Sequence, residues 1–362
     1  MSPLETILRE LILEDGPISL DRYMALALAH PVHGYYRTRD PLGPQGDFVT
    51  APEISQMFGE MLGLWAVEVW RLMGAPAPVR LVELGPGRGT LMADALRAAR
   101  LAPDFLAALE VDLVEISAPL RERQRAALEK SGVKINWRHA VEEIPPGPAI
   151  FIANEFFDAL PVRHYVFRDG GWRERRVGVD EHGRLRFGLG EIEAAIEARG
   201  DEGDILEVGV AAARTMTRIG VRIAAQGGAL LAIDYGYEQP ARGETLQAVR
   251  GHRFVDPLES PGEADLTAHV DFSALARAAK GAGAATHGPL EQGEFLTRLG
   301  VVERAAALAD ANESRRASVE AALDRLAGAA GRADMGRLFK AIAVTRRGAP
   351  TPPGFGSARD EA

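Results

Sequence analysis

VRLVELGPGRGTL, residues 79–91, joins a short apolar run to a glycine turn and then to a segment with helical periodicity. Val79, Leu81, Val82 and Leu84 predict a buried parallel strand. Gly85, Gly87 and Gly89 follow at every second residue, and Thr90 opens a stretch whose apolar positions, Leu91, Ala93, Leu96 and Ala99, predict a helix. In a parallel sheet such a turn lies at the carboxyl edge. There the backbone can approach a ligand closely, and the first amides of the next helix face it.

The glycine spacing separates two classes of ligand. A dinucleotide fingerprint is G-x-G-x-x-G, whereas this turn is G-x-G-x-G with a carboxylate, Glu83, two residues ahead of the first glycine. An acid at the end of the strand suits a cation better than a diphosphate. S-adenosyl-L-methionine carries a sulfonium and an amino group and has no phosphate. Glu83, Gly85, Gly87, Gly89 and Thr90 are therefore the expected cofactor-binding residues. An ordinary glycine-rich loop is the competing reading, and Glu83 with the strand before it weighs against that.

Working outward, the chain of 362 residues is long enough for one elaborated domain or two, and 46% hydrophobic with 26% charged residues is the balance of a globular protein. A net charge of -9 argues against nucleic acid as the main partner, because phosphate binding needs concentrated Lys and Arg. Cysteine is absent, which excludes disulfides, thiolate metal sites and cysteine nucleophiles. The eight histidines show no ligand spacing such as H-E-x-x-H, and no metal is expected. The N-terminus, MSPLETILRELILEDG, is acidic and reads as neither signal nor transit peptide. No run is long enough for a transmembrane helix. A cytoplasmic location is the resulting expectation.

Residues 1–75 predict a helical N-terminal region. Ser2-Pro3-Leu4-Glu5 reads as a capping box, Ser19 as a second N-cap, and Thr50-Ala51-Pro52-Glu53 as another box opening a longer helix through Val69. Between them, the segment 33–49, rich in Gly, Pro and aromatics, is expected to form a lid-like loop or substrate wall. A cofactor-binding domain is expected over 76–347, and a disordered tail over 348–362.

After the glycine turn, strands are expected at 108–115, 134–137, 149–153 and 228–235, with a helix at 117–130. That alternation specifies an α/β fold with a doubly wound, Rossmann-like parallel sheet. Glu115 falls where such folds place the acid that grips ribose hydroxyls, although a helix-capping role would also suit it. Asn154, Glu155 and Asp158 follow the fourth strand; they read either as caps of a short helix or as catalytic residues facing the methyl acceptor. Residues 162–208 read as a β-rich insertion with a hairpin turning at Asp169-Gly170-Gly171. His252, Asp265, Thr267 and His269 are candidates for a second polar rim, with a structural role the competing reading. A last strand is expected at 339–344.

Taken together, GDFVTAPEISQMFGEMLGLW, ELGPGRGTLMADAL, VEISAPLRERQ, ANEFFDALPV, LAIDYGY and GEADLTAHVDF make the chain resemble the MidA-like class I methyltransferases over nearly its whole length. The resemblance implies a class I methyltransferase fold with a helical N-terminal part and an inserted β-rich part. It implies S-adenosyl-L-methionine as cofactor, with the cofactor motif on Glu83, Gly85, Gly87 and Gly89 and the ribose acid on Glu115. It also implies a protein substrate, because the family's eukaryotic member is implicated in symmetric dimethylation of an arginine on a complex I subunit. With no transit peptide read at its start, the chain resembles a bacterial counterpart. One departure is that Arg138-His139-Ala140-Val141, after the third strand, offers no acid for the adenine amino group. A small-molecule acceptor and an assembly factor without catalysis remain alternative readings, a nicotinamide dehydrogenase is disfavoured by the early third glycine, and a homodimer is left open.

Overall fold

The computed structural model describes residues 2–38, 50–328 and 335–356. They form two compact units. One comprises residues 49–157, 215–238 and 272–362, and the other residues 1–48, 158–214 and 239–271.

The first unit is built on a sheet of β1 (Val79–Leu84), β2 (Leu109–Val114), β3 (Lys134–Arg138), β4 (Ala149–Asn154), β5 (Gly228–Tyr237), β6 (Ala284–Glu291) and β7 (Phe339–Arg346). Their spatial order is β6-β7-β5-β4-β1-β2-β3. The five from β5 to β3 run parallel, whereas β7 lies antiparallel to both β5 and β6. The direction of progression reverses between β1 and β4, which is where doubly wound sheets open a ligand crevice at the carboxyl ends of their strands. In register, Glu83 of β1 lies beside Leu113 of β2 and Ile152 of β4.

One face of this sheet carries Val79, Leu81, Val111, Leu113, Ile150, Ile152, Leu231 and Ile233, all in one core with α1 (Gln56–Leu72) and α2 (Thr90–Ala98). The two helices touch through small residues. A Cβ on Gly63 would stand 2.5 Å from the Ala95 carbonyl oxygen, and one on Gly59 would stand 2.6 Å from Cβ of Asp94. Helix α3 (Ala118–Leu128) connects β2 to β3 and is capped by Ser117, whose hydroxyl accepts from the Leu120 N–H. Helix α4 (Phe272–Gly281) packs on β6, β7 and β5.

Two expectations for this unit change. The helix expected from Ala51 through Val69 breaks at Ser55, whose extended backbone separates a short helix, Ala51–Ile54, from α1. Ser55 caps α1 by accepting from the Met57 N–H at 3.2 Å, while Thr50 makes no side-chain cap bond. The tail expected to be disordered from residue 348 is placed as far as Gly356: Phe355 packs on Phe295, and Arg298 donates to the carbonyls of Gly354 and Gly356. Residues 357–362 lie outside the described residues.

The second unit combines helices Pro3–Asp15 and Leu20–Ala29 with two antiparallel sheets. Ser2 caps the first helix as the sequence predicts, accepting from the Glu5 N–H at 3.1 Å. Strands Arg163–Arg168 and Gly171–Val179 form the expected hairpin, with positive φ at both Asp169 and Gly170, as a tight turn between right-twisted strands requires. A smaller sheet joins Gln247–Arg250 to Arg253–Val255 and Asp265–Thr267. Leu4, Leu8, Tyr23, Met24, Val162, Val177, Ala248 and Leu266 share its core. Of the segment 33–49, Tyr35–Thr38 is a short helix, and 39–49 lie outside the described residues.

Candidate active site

The glycine turn closes tightly on β1. Gly85, Gly87 and Gly89 have φ of 63°, 51° and 82°, a backbone region that costs other residues strain. The Gly85 N–H donates to the Val114 carbonyl at 3.0 Å, and the Gly89 N–H to the Pro86 carbonyl at 2.7 Å. A Cβ on Gly85 would stand 3.1 Å from the Phe156 ring. Gly89 is the N-cap of α2 and Thr90 its first residue. The Thr90 hydroxyl donates to Glu53 Oε1 at 2.6 Å, which ties the start of α2 to the helix Ala51–Ile54.

Glu83 is buried at 3% exposure, and its Oε2 has no hydrogen-bond partner among the described residues. Burial, and then the negative charge of Glu115, push its carboxyl up to about 8. Glu115, just past the end of β2, is raised by burial too. It is offset by the Ser117 N–H, which donates to Oε1 at 2.7 Å, and by the Gln124 amide, which donates to Oε2 at 3.3 Å. The same Gln124 nitrogen donates to the Gly87 carbonyl at 2.7 Å, and Trp137 Nε1 donates to Gln124 Oε1 at 2.9 Å.

At the end of β4, Asn154 and Glu155 are brought together: Asn154 Nδ2 donates to Glu155 Oε1 at 3.1 Å, and the Ala51 N–H donates to the same oxygen at 3.0 Å. Glu155 thus supplies the cap that Thr50 does not. It is held at φ 49°, an unusual value for a residue with a Cβ, and such strain collects at functional sites. The turn that imposes it is pinned by Asp234 of β5. Buried Asp234 Oδ2 accepts from the N–H groups of Phe156 and Phe157 at 3.1 and 2.9 Å. No helix forms over 155–160, so these acids cap no helix of their own, and the helix that Glu155 caps is Ala51–Ile54.

Asp158 opens the next segment and belongs to the second unit, where the Ala268 N–H donates to its carbonyl. In that unit Tyr36 donates to Asp265 Oδ1 at 2.8 Å. Burial and the charges of Asp265 and Asp158 hold its phenol well above the ordinary range. His269 is kept below its usual value by burial, opposed by Glu207. The His269 backbone N–H donates to Thr245 Oγ1 at 2.8 Å, and Thr245 and the buried His164 both bond Glu207. His252 stands apart on an exposed hairpin tip.

A family model for S-adenosyl-L-methionine-dependent methyltransferases matches residues 61–290, the stretch that holds β1, the glycine turn, Glu115 and the end of β4. The chain belongs to this methyltransferase family. It is 38% identical over 329 residues to the protein arginine methyltransferase NDUFAF7, mitochondrial, of Danio rerio, covering 83% of this chain and 78% of the relative. The Homo sapiens protein of the same name is 38% identical over 339 residues, covering 85% and 76%. A crystal structure from Burkholderia thailandensis bound to S-adenosyl-homocysteine has a TM-score of 0.86 and 30% identity, covering 98% of this chain and 94% of that one.

The methyltransferase fold and an S-adenosyl-L-methionine cofactor are therefore as the sequence predicts. The cytoplasmic expectation is corrected, since these relatives carry a mitochondrial label. It rested on the acidic N-terminal segment. That segment is a packed helix with Leu4, Leu8 and Ile12 buried, and its charge reports on the fold rather than on a compartment. Among the described residues no helix is long and apolar enough to cross a membrane.

The turn fits its cofactor on two counts. Glu83 presents a buried oxygen that lacks a donor, which a cationic amino group would supply. Gly85, Gly87 and Gly89 carry no side chain, so only backbone would stand between the turn and such a ligand. Sequence reading missed Gln124 and left Asp234 without a role. Gln124 does have a signal, as the polar member of a buried stripe of Leu120, Gln124 and Leu128 at four-residue spacing.

Proposed function

We propose that this methyltransferase acts on an arginine side chain of a protein, with a subunit of respiratory complex I as the acceptor during assembly of that complex. The observation that carries the reading is the 38% identity over 339 residues to a protein named as an arginine methyltransferase. In this reading Glu83, Gly85, Gly87, Gly89 and Thr90 hold the cofactor, Glu115 takes its ribose hydroxyls, and Asn154, Glu155 and Asp158 serve the acceptor.

S-adenosyl-L-methionine supplies an electrophilic methyl group when bound. The residues must then solve a difficulty peculiar to arginine, whose guanidinium stays protonated, with a pKa above about 12, and spreads its charge over three nitrogens. A carboxylate that binds two of the N–H groups draws positive charge away from the attacking nitrogen. It then takes the proton released as that nitrogen is alkylated. Glu155 suits this task because the Ala51 and Asn154 donors fix Oε1 and so orient the carboxylate. Asp158, three residues on in the sequence, is the second acid offered for this role. Holding the acceptor in line supplies on the order of 7 to 11 kcal/mol of the barrier reduction.

The test is incubation with methyl-labelled S-adenosyl-L-methionine and an extract of cells lacking the gene, with label located by mass spectrometry. Gly87→Val is the control, since valine is strained at φ 51°. Label on an arginine of a complex I subunit, absent with the control, is the expected result. Label on another kind of acceptor rejects the substrate and keeps the chemistry.

A further inference from the structure

Gln124 is fully buried on the apolar stripe of α3, where a leucine would be the ordinary occupant. Its amide meets three partners from three other parts of the sheet's carboxyl edge. Nε2 donates to the Gly87 carbonyl in the glycine turn and to Glu115 Oε2 past β2, and Oε1 accepts from Trp137 on β3. The helix also comes close here, with Gln124 Cα 3.3 Å from where a Cβ on Gly89 would stand.

The orientation of the amide is set by chemistry. An indole N–H can only donate, so it must face Oε1, and the two N–H groups are thereby turned to two oxygens that can only accept. The opposite orientation would set Oε1 against the Gly87 carbonyl and the Glu115 carboxylate. Trp137 is itself held by the Arg125 guanidinium, 4.8 Å over its ring, and by strand pairing to Leu113.

We propose that Gln124, oriented by Trp137, is a positioning residue for the cofactor: it fixes the glycine turn and the Glu115 carboxylate at one separation, so that both engage the same ligand. With the Ser117 N–H on Oε1, Gln124 on Oε2 and the Ile116 N–H as a further donor, the Glu115 carboxylate is held in place and still keeps acceptor capacity for a ribose hydroxyl. The inference rests on Glu115 being the ribose acid, and its test separates the two ideas.

S-adenosyl-homocysteine is titrated calorimetrically into the wild-type chain and into Gln124→Leu, Gln124→Glu, Trp137→Phe and Glu115→Ala, with the ligand-free melting temperature of each recorded. Gln124→Leu should weaken binding about tenfold or more and Trp137→Phe about threefold or more. Gln124→Glu should bind poorly at pH 8 and recover relative to wild type by pH 6, because a protonated carboxyl regains one donor; a purely structural role would not produce that pH dependence. Binding by Gln124→Leu within about twofold of wild type, while Glu115→Ala is weakened, overturns the positioning role alone. Unchanged binding by Glu115→Ala overturns the ribose assignment and this inference with it. A lower melting temperature with unchanged affinity also overturns it. If Gln124→Leu fails to fold, Trp137→Phe decides, and wild-type affinity there rejects the proposal.

Discussion

Glu83, one residue before the end of β1, and Glu115, just past the end of the adjacent β2, are buried at 3% and 7% exposure, and the Glu115 charge adds to burial in raising the Glu83 carboxyl. Glu115 has N–H donors from Ser117 and Gln124 to support ionisation. Glu83 has burial and the Glu115 charge against it, and holds its proton to about pH 8. A cationic group arriving at Glu83 reverses that balance.

The first prediction follows from this linkage. A ligand that prefers ionised Glu83 must displace a proton below about pH 8, so S-adenosyl-homocysteine should bind more tightly as pH rises from 6 to 8, by up to about tenfold per unit. Calorimetry in two buffers of different ionisation enthalpy should record proton release. In the ligand-free protein the sign is opposite. The folded state holds a proton that the unfolded state, with a carboxyl near 4.5, has lost, so stability should fall between about pH 4.5 and 8 and level off above. Glu83→Gln should flatten both profiles, and a wild-type pH slope in that variant would reject the assignment.

The contact between α1 and α2 gives the second. A Cβ on Gly63 would meet Ala95 backbone atoms at 2.5 to 2.9 Å, and backbone cannot step aside as a flexible side chain can. Gly63→Ala should lower stability by about 1–3 kcal/mol through overpacking and weaken cofactor binding, because α2 carries the glycine turn at its start. Gly188→Ala, with nothing within 4 Å of its Cβ, should change stability by less than about 0.5 kcal/mol. Chemical denaturation of the two variants checks both figures.

The sheet was legible because its central strands are nearly uninterrupted apolar runs closed by Gly or acid, as in LVELG and LLAIDYG. β6 was not. Its sequence, AATHGPLE, is polar, and a register shift between His287 and Leu290 breaks its alternation. The break at Ser55 was hidden by two overlapping cap signals, of which the one at Thr50 is satisfied from a distance by Glu155. Nor could sequence show that residues 1–48 fold with 158–214 and 239–271, since cores shared by distant segments leave no local pattern.

At the site, the residue types were readable and their dependencies were not. Acids at strand ends mark a ligand edge whatever their partners. What fixes them comes from far along the chain: Asp234 reaches backbone N–H groups 78 and 77 residues earlier, and Gln124 reaches a carbonyl 37 residues earlier.

Asp234 carries the third prediction. Asp234→Ala strips the acceptor from the buried Phe156 and Phe157 N–H groups, which should cost about 2–4 kcal/mol. It should also release Glu155 from its positive φ and reduce transfer. Asp234→Asn keeps one oxygen and should fall between wild type and alanine in melting temperature. An alanine variant as stable as wild type would show that the turn is held by other means.

Glu155 itself separates the structural and chemical uses of one carboxylate. Glu155→Gln retains a side-chain oxygen for the Ala51 and Asn154 donors, so stability should stay within about 0.5 kcal/mol and S-adenosyl-homocysteine should bind within about twofold. The charge and the ability to take a proton are lost, and methyl transfer to the labelled acceptor should fall about 100-fold or more. Glu155→Ala should lose stability as well, because the Ala51 N–H is left without its acceptor. Asp158→Asn is the companion variant for the second acid. Full transfer by both Glu155→Gln and Asp158→Asn, with normal cofactor binding, would remove these carboxylates from the acceptor chemistry and leave Glu155 as a helix cap.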